Sequence, residues 1–129
     1  MTAATGNRLT KQREADRVAD PLAAATRIYG GTMVALDASG NAIPAIPAAP
    51  TMRGVANHEA DNSTGAAGAV SVECDRGFAF LFANDGSLDR TDIGADVYVV
   101  DDQTVGVAGT LIAGKCIDIV DAGVWVFIS

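Results

Sequence analysis

The single histidine of the chain, His58, is followed by two carboxylates, Glu59 and Asp61, and such a group can bind a metal ion or transfer protons. The surrounding residues are mostly Gly, Ala, Asn, Ser and Thr, which predict a loop. Metal ligands and acid–base pairs must be held within narrow geometric limits by rigid elements. The sequence therefore predicts no catalytic site, no metal site and no cofactor at His58, and we expect the protein not to be an enzyme.

Two short motifs imitate binding or modification sites. The segment Asp37-Ala-Ser-Gly-Asn41 carries oxygen ligands at alternate positions, as a calcium loop does, but Ala48 stands where a bidentate Glu is needed. We therefore expect a hairpin turn there. Asn62-Ser-Thr64 fits the glycosylation sequon, but the first residues lack the apolar stretch of a signal peptide, so we expect synthesis in a cytoplasm without glycosylation.

The two cysteines, Cys74 and Cys116, are too far apart for a metal knuckle and too few for a disulfide framework. Cys74 alternates with Val72, and Cys116 is followed by Ile117, which is typical of buried strands. We expect two reduced, structural thiols.

Composition predicts the fold class. The chain has 129 residues, 49% of them hydrophobic, and it contains 21 Val and Ile residues but only 6 Leu. β-branched residues favour strands, and glycine-rich turns separate apolar runs at short intervals without a helical stretch between them. We predict an all-β fold, a small antiparallel β-sandwich or barrel. No fixed-period repeat is evident, and the recurring pattern Gly-x-x-Val is attributed to turns.

Several segments carry specific expectations. Residues 44–50 contain three prolines and predict a surface loop or sheet edge, and residues 59–68 predict an exposed, mobile loop. Phe80, Phe82 and Trp125 lie in the two most apolar runs, so we expect them in the interior or in a subunit interface.

Charge is unevenly distributed along the chain, whose net charge is -7. Residues 1–27 carry five cations and three carboxylates (+2), whereas residues 28–129 carry four cations and thirteen carboxylates (-9). The five cations are Arg8, Lys11, Arg13, Arg17 and Arg27. Residues 1–27 also lack an apolar stripe, so we predict an extended amino-terminal arm that becomes ordered on a partner, followed by a β-rich body from Ile28 to Ser129. The acidic body excludes a surface that coats nucleic acid, and no apolar run is long enough to predict a membrane span.

An ordered series of short glycine-containing elements runs through residues 28–129. It comprises Tyr29-Gly-Gly-Thr-Met-Val, a hairpin containing Gly40, Arg53-Gly-Val-Ala, Gly68-Ala-Val-Ser-Val, Gly77-Phe-Ala-Phe, Gly94-Ala-Asp-Val-Tyr-Val, Ile112-Ala-Gly-Lys and Gly123-Val-Trp-Val-Phe-Ile. This order resembles the small capsid decoration, or cement, proteins of tailed bacteriophages.

The resemblance implies a structural protein of the virion. In that family a strand-rich body sits on the capsid exterior, commonly as a homotrimer, and a flexible amino-terminal segment reaches neighbouring subunits of the major capsid protein. The cations of the arm would then pair with capsid carboxylates. The alternatives are a ligand-binding or glycan-binding β-domain of a phage tail or spike, and a small β-barrel enzyme, which would need a second titratable group near His58 or Cys74.

Overall fold

The computed structural model describes residues 2–129, which form twelve β-strands and one short 3-10 helix (Arg90–Asp92), without an α-helix in that range. The strands are β1 (Arg17–Pro21), β2 (Thr26–Ile28), β3 (Met33–Leu36), β4 (Ala42–Pro44), β5 (Thr51–Ala56), β6 (Ala60–Asn62), β7 (Ser71–Asp75), β8 (Phe78–Asn84), β9 (Asp96–Asp101), β10 (Thr104–Gly106), β11 (Ile112–Val120) and β12 (Gly123–Ile128). The predicted all-β class is confirmed.

The carboxyl-terminal half forms a closed barrel with the strand order β10-β8-β12-β11-β9. Four of the neighbouring pairs are antiparallel, and the closing pair, β8 with β10, is parallel. A closed ring with an odd number of strands cannot alternate direction throughout, so one parallel pair is a geometric necessity. Closure leaves this half without a free sheet edge.

The amino-terminal half forms a five-stranded sheet with the order β1-β7-β5-β3-β4, which we call the N-terminal sheet. Its two edges meet at a single parallel bridge between Leu22, which directly follows β1, and Ala42 of β4. A two-stranded ribbon of β2 and β6 packs against its inner face, where Ile28 and Ala60 share a buried cluster with Val72.

The two halves have the same topology. When β2 and β6 are set aside, each half has five strands. Numbered along the chain within each half, these five strands are neighbours in the order 1-5-4-2-3: β1-β7-β5-β3-β4 in the N-terminal sheet and β8-β12-β11-β9-β10 in the barrel. The closing contacts correspond as well, because Leu22 pairs in parallel with Ala42 as Asn84 does with Val105. The chain therefore contains a structural duplication that its sequence did not predict.

Local geometry repeats with the topology. Gly31 and Gly94 both have positive φ (82° and 91°) and both precede the second strand of their half. The N–H of Gly31 donates to the carbonyl of Ala56 at 2.7 Å, and the N–H of Gly94 donates to the carbonyl of Cys116 at 2.8 Å. The recurring Gly-x-x-Val pattern thus marks equivalent positions of the two halves.

A second pair of glycines occupies the β-bulge of the fourth strand in each half. A Cβ on Gly54 would lie 2.7 Å from the carbonyl oxygen of Asp75, and a Cβ on Gly114 would overlap the carbonyl oxygen of Phe127. Only glycine at these positions lets the fifth strand of each half lie this close to the fourth strand.

At one equivalent pair of interior positions, one half has an ion pair and the other half has apolar side chains. In the N-terminal sheet, Arg53 on β5 and Asp20 on β1 form an ion pair with Nε–Oδ2 at 2.7 Å and Nη2–Oδ1 at 3.2 Å. The barrel has the apolar residues Ala113 and Phe82 at these positions, both buried. The ion pair therefore holds the first strand against the sheet where the barrel uses a packed aromatic ring.

Ordered structure begins earlier than the boundary at Ile28. β1 pairs along its length with β7, and Val18 and Leu22 are buried. The residues between β1 and Ile28 thus belong to the body, because the edge of the N-terminal sheet supplies hydrogen bonds and apolar contacts that the local sequence does not reveal.

Candidate interaction surfaces

The amino-terminal arm comprises residues 2–16, which are all exposed and contain neither helix nor strand. Its cations Arg8, Lys11 and Arg13 form no ion pair with any side chain of residues 2–129. The carbonyl of Asp16 accepts a hydrogen bond of 2.8 Å from the N–H of Arg76, in the turn between β7 and β8. This bond fixes where the arm leaves the body.

The other two predicted arm cations are engaged within the body. Arg17 Nε lies 3.0 Å from Asp75 Oδ1, across the pair of β1 and β7. Arg27 Nη2 lies 2.7 Å from Glu59 Oε1, and its guanidinium stacks 5.0 Å from the ring centre of Tyr29. Three of the five cations therefore remain without a partner in the described part of the chain.

Because the arm ends at residue 16 and not at residue 27, its net charge is smaller than the sequence boundary implied. Residues 1–16 carry three cations and two carboxylates (+1), and residues 17–129 carry six cations and fourteen carboxylates (-8). Both arm carboxylates, Glu14 and Asp16, lie next to the body, so residues 2–13 hold positive charge alone. The basic character of the arm is concentrated away from the fold.

A cleft of about 500 Å³ lies where the arm meets the body. Glu14, Asp16, Arg17, Asp75 and Phe78 line it. The Phe78 ring is 52% exposed, so the cleft offers an aromatic surface beside hydrogen-bonding carboxylates and a guanidinium.

The predicted exposed, mobile loop over residues 59–68 is wrong at its first residues. Ala60 and Asn62 lie in β6 and are buried. Asn62 Nδ2 donates to the carbonyls of Ala23 at 3.0 Å and Ala66 at 2.9 Å. A side-chain amide thus holds this small, polar segment where the sequence offers no apolar anchor.

Both ring nitrogens of His58 form hydrogen bonds with the backbone. Its Nε2 accepts from the backbone N–H of Glu73 at 3.2 Å, so this nitrogen is unprotonated and the proton lies on Nδ1, 2.9 Å from the carbonyl oxygen of Glu59. The carboxylates of Glu59 and Asp61 face Arg27 instead. His58 therefore extends the pairing of β7 and does not form an acid–base pair with its neighbours.

Turn carboxylates account for much of the acidic character of the body. Asp37 Oδ1 accepts from the N–H groups of Ser39 and Asn41, at the tip of the predicted hairpin between β3 and β4. Hydrogen bonds from Ser87 hold the pKa of Asp85 below its usual value. Across residues 2–129, no three His, Cys, Asp or Glu side chains are grouped to hold a metal ion.

Asp102 behaves differently from these turn residues. Partial burial and the neighbouring charge of Asp101 raise its pKa. Its carbonyl accepts the N–H of Met33 at 2.7 Å, so the β9–β10 turn joins the barrel to the N-terminal sheet.

Both cysteines are buried free thiols, as predicted. Burial, with a smaller contribution from Asp20, raises the pKa of Cys74 to about 12. Burial likewise raises the pKa of Cys116. Neither sulfur is placed to act as a nucleophile.

The aromatic residues occupy both sides of the barrel. Phe82 is buried and Phe80 packs partly against the core, as expected. Trp125 is 38% exposed on the outer side, whereas Val124 and Val126 point inward, so an interior position for Trp125 is wrong. The lumen of a five-stranded barrel is narrow and is filled by β-branched side chains. Both alternating sets of side chains in β12 are apolar, so the sequence pattern did not indicate which set faces outward.

Comparison of the chain with protein-family models, curated proteins and solved structures finds no match. In residues 2–129 no helix has the length and apolar character needed to cross a membrane.

Proposed function

We propose that the protein is a structural decoration protein of a tailed-phage capsid, made in the host cytoplasm and bound to the capsid exterior as a homotrimer. The observation that carries this proposal is the arm, on which Arg8, Lys11 and Arg13 have no partner within residues 2–129. It projects from a body whose own cations are largely paired with carboxylates. A segment of this kind binds by becoming ordered on another surface.

The partner is the major capsid protein, at junctions between its subunits. The arm cations bind carboxylates there through charge-assisted hydrogen bonds. Because the decoration protein binds the assembled lattice and not separated subunits, each bound copy stabilises the shell by mass action. The order of glycine-containing elements supports the same family, since these elements supply strands or turns of both halves.

The test is co-sedimentation with heads that lack the protein, using full-length chain and chain without residues 2–16. We expect truncation to reduce binding at least about tenfold, and binding of the intact chain to weaken with salt, since exposed charges are screened over about 8 Å at physiological ionic strength. The charge variant Arg8→Gln/Lys11→Gln/Arg13→Gln should reproduce the loss. Its matched control is Arg27→Gln, which removes a cation already paired in the body. Full decoration by the truncated chain would refute the role of the arm.

A second candidate function is glycan binding by a tail or spike domain, which the cleft at the base of the arm favours. The exposed Phe78 ring can stack on a sugar face while Asp75 and Arg17 bind its hydroxyls. Glycan binding that is abolished by Phe78→Ala, without any binding to heads, would select this function.

A further inference from the structure

The outside of β8, β12 and β11 carries an apolar surface, which Lys115 (opposite Phe127) and Asp118 (opposite Trp125) interrupt in the pairing of β11 with β12. Its exposed side chains are Leu81 (39%), Ile112 (45%), Ile117 (50%), Trp125 (38%) and Phe127 (38%). Trp125 is directly opposite Leu81 in the pairing of β12 with β8. Phe127 and Ile112 line a groove of about 300 Å³ together with the ion-paired Asp96 and Lys115. We call these five residues the outer barrel face.

The N-terminal sheet serves as an internal comparison for this face. Its β1–β7 pairs Ala19–Glu73 and Arg17–Asp75 are equivalent in topology and register to Leu81–Trp125 and Ala79–Phe127 in the barrel. Glu73 thus stands where the barrel has Trp125, and Asp75 where it has Phe127. Their side of the sheet is polar and includes the Arg17–Asp75 ion pair.

The same arrangement of strands therefore folds with charged residues at positions where the barrel has aromatic rings. Neither Trp125 nor Phe127 is required by the topology, and both expose apolar area to water. An exposed apolar patch of this extent is often functional, and contact with another protein is one such function.

We propose that copies of this chain pack against one another through the outer barrel face. This proposal rests on one part of the proposed function, the association of copies, and names the surface that mediates it. It does not depend on binding to a capsid. Two properties of the face identify a second copy as its occupant: its charge and its area.

Charge favours a second copy because the outer barrel face is electrically neutral. Lys115 Nζ lies 2.7 Å from Asp96, and Arg90 Nη1 lies 3.3 Å from Asp118, so the charges beside the face are paired within the chain. Elsewhere the body is strongly acidic, and two copies of a chain of net charge -7 repel each other. The neutral face is where that repulsion is smallest.

The area of the face also suits association between copies. The five side chains expose about 400 Å² of apolar surface, taking about 200 Å² for a whole large side chain. Protein interfaces are a little over half apolar, so a contact centred on this face covers about 700 Å² per copy, close to the ~800 Å² of a standard interface. The groove beside Phe127 can receive a side chain of the neighbouring copy.

The test is sedimentation velocity of the full chain over a range of concentrations. We expect the wild type to sediment as an oligomer of its 13.1 kDa protomer. The double variant Trp125→Glu/Phe127→Asp introduces the residues that the equivalent positions of the N-terminal sheet already carry. It should weaken association at least ~100-fold, since central aromatic residues dominate interface energies. Circular dichroism should show that the variant remains folded.

The matched control is Ile46→Asn, which removes an exposed apolar side chain (46%) from the loop between β4 and β5. It should leave the oligomer intact. A wild type that stays monomeric at high concentration, or a folded double variant that associates like the wild type, would overturn the proposal. A monomeric wild type whose head binding is lost in the double variant would assign the face to the capsid instead. Wild-type oligomers that the double variant dissociates, without any head binding, would support this surface while refuting decoration.

Discussion

Two truncations of the chain, after Asp16 and after Arg27, should have opposite effects on folding. The shorter deletion removes only exposed residues without secondary structure. We expect it to change the free energy of unfolding by less than ~0.5 kcal/mol, as for surface changes in general. The longer deletion removes β1, an edge strand of the N-terminal sheet, together with the residues that connect it to Ile28.

The loss caused by the longer deletion follows from three contacts. Val18 and Leu22 are 7% and 0% exposed, and the burial of each contributes about 2 kcal/mol. Arg53 loses its partner Asp20 while its own side chain is only 24% exposed, which costs about 1 kcal/mol more. A total near 5 kcal/mol is comparable to the whole stability of a small domain, about 5–15 kcal/mol.

The assay is thermal and urea unfolding followed by circular dichroism. The chain without residues 2–16 should melt with the full-length protein. The chain without residues 2–27 should melt at least ~15 °C lower, at about 3 °C per kcal/mol for a domain of this size, or fail to fold. Equal melting temperatures for the longer truncation and the intact chain would refute the assignment of β1 to the body.

Three further perturbations test the packing of the barrel and of the thiols. Gly114→Ala should destabilise the fold by about 3 kcal/mol or more in urea unfolding, because the new Cβ overlaps the neighbouring backbone, whereas Gly6→Ala in open space should have no effect. Phe82→Ala should lower the free energy of unfolding by about 3–5 kcal/mol because the ring is buried. Trp125→Ala in the dissociated protein should lower it by less than half of that, because Trp125 is partly exposed. The reverse order would contradict the assigned faces. Cys74 should resist thiol reagents until the protein unfolds. The pKa of Cys74 is about 12 in the fold and near 9.0 when exposed, so the thiol loses its proton at lower pH in the unfolded state. The urea midpoint should therefore fall as pH rises above 9. A flat profile for the wild type, or the same fall in Cys74→Ala, would exclude this cause.

Comparison of equivalent positions shows which residues the two halves share and where they differ. Equivalent positions keep glycine where backbones approach closely, as at Gly54 and Gly114. Inside, the Asp20–Arg53 ion pair of one half replaces the Phe82 and Ala113 packing of the other. Buried ion pairs contribute little net stability but are costly to break, so this substitution preserves the topology while making β1 depend on one partner.

The sequence by itself determined the strand-rich class, the hairpin at Asp37 and the burial of both cysteines. These features depend on local information: β-branched residues, turn residues and the alternation of side chains along a strand. The exposed, charged character of residues 2–16 was also readable from their lack of apolar residues at regular spacing.

Tertiary structure alone decided the beginning of the body, the face occupied by Trp125 and the repetition of the topology. Alternation cannot choose the inward face when both sets of side chains are apolar, as in β12, so the width of the barrel lumen decides it. β1 is a strand because β7 pairs with it and Arg53 holds Asp20, and both partners are distant in sequence. Contacts across such separations are formed by the fold as a whole, which is why no local pattern predicted them.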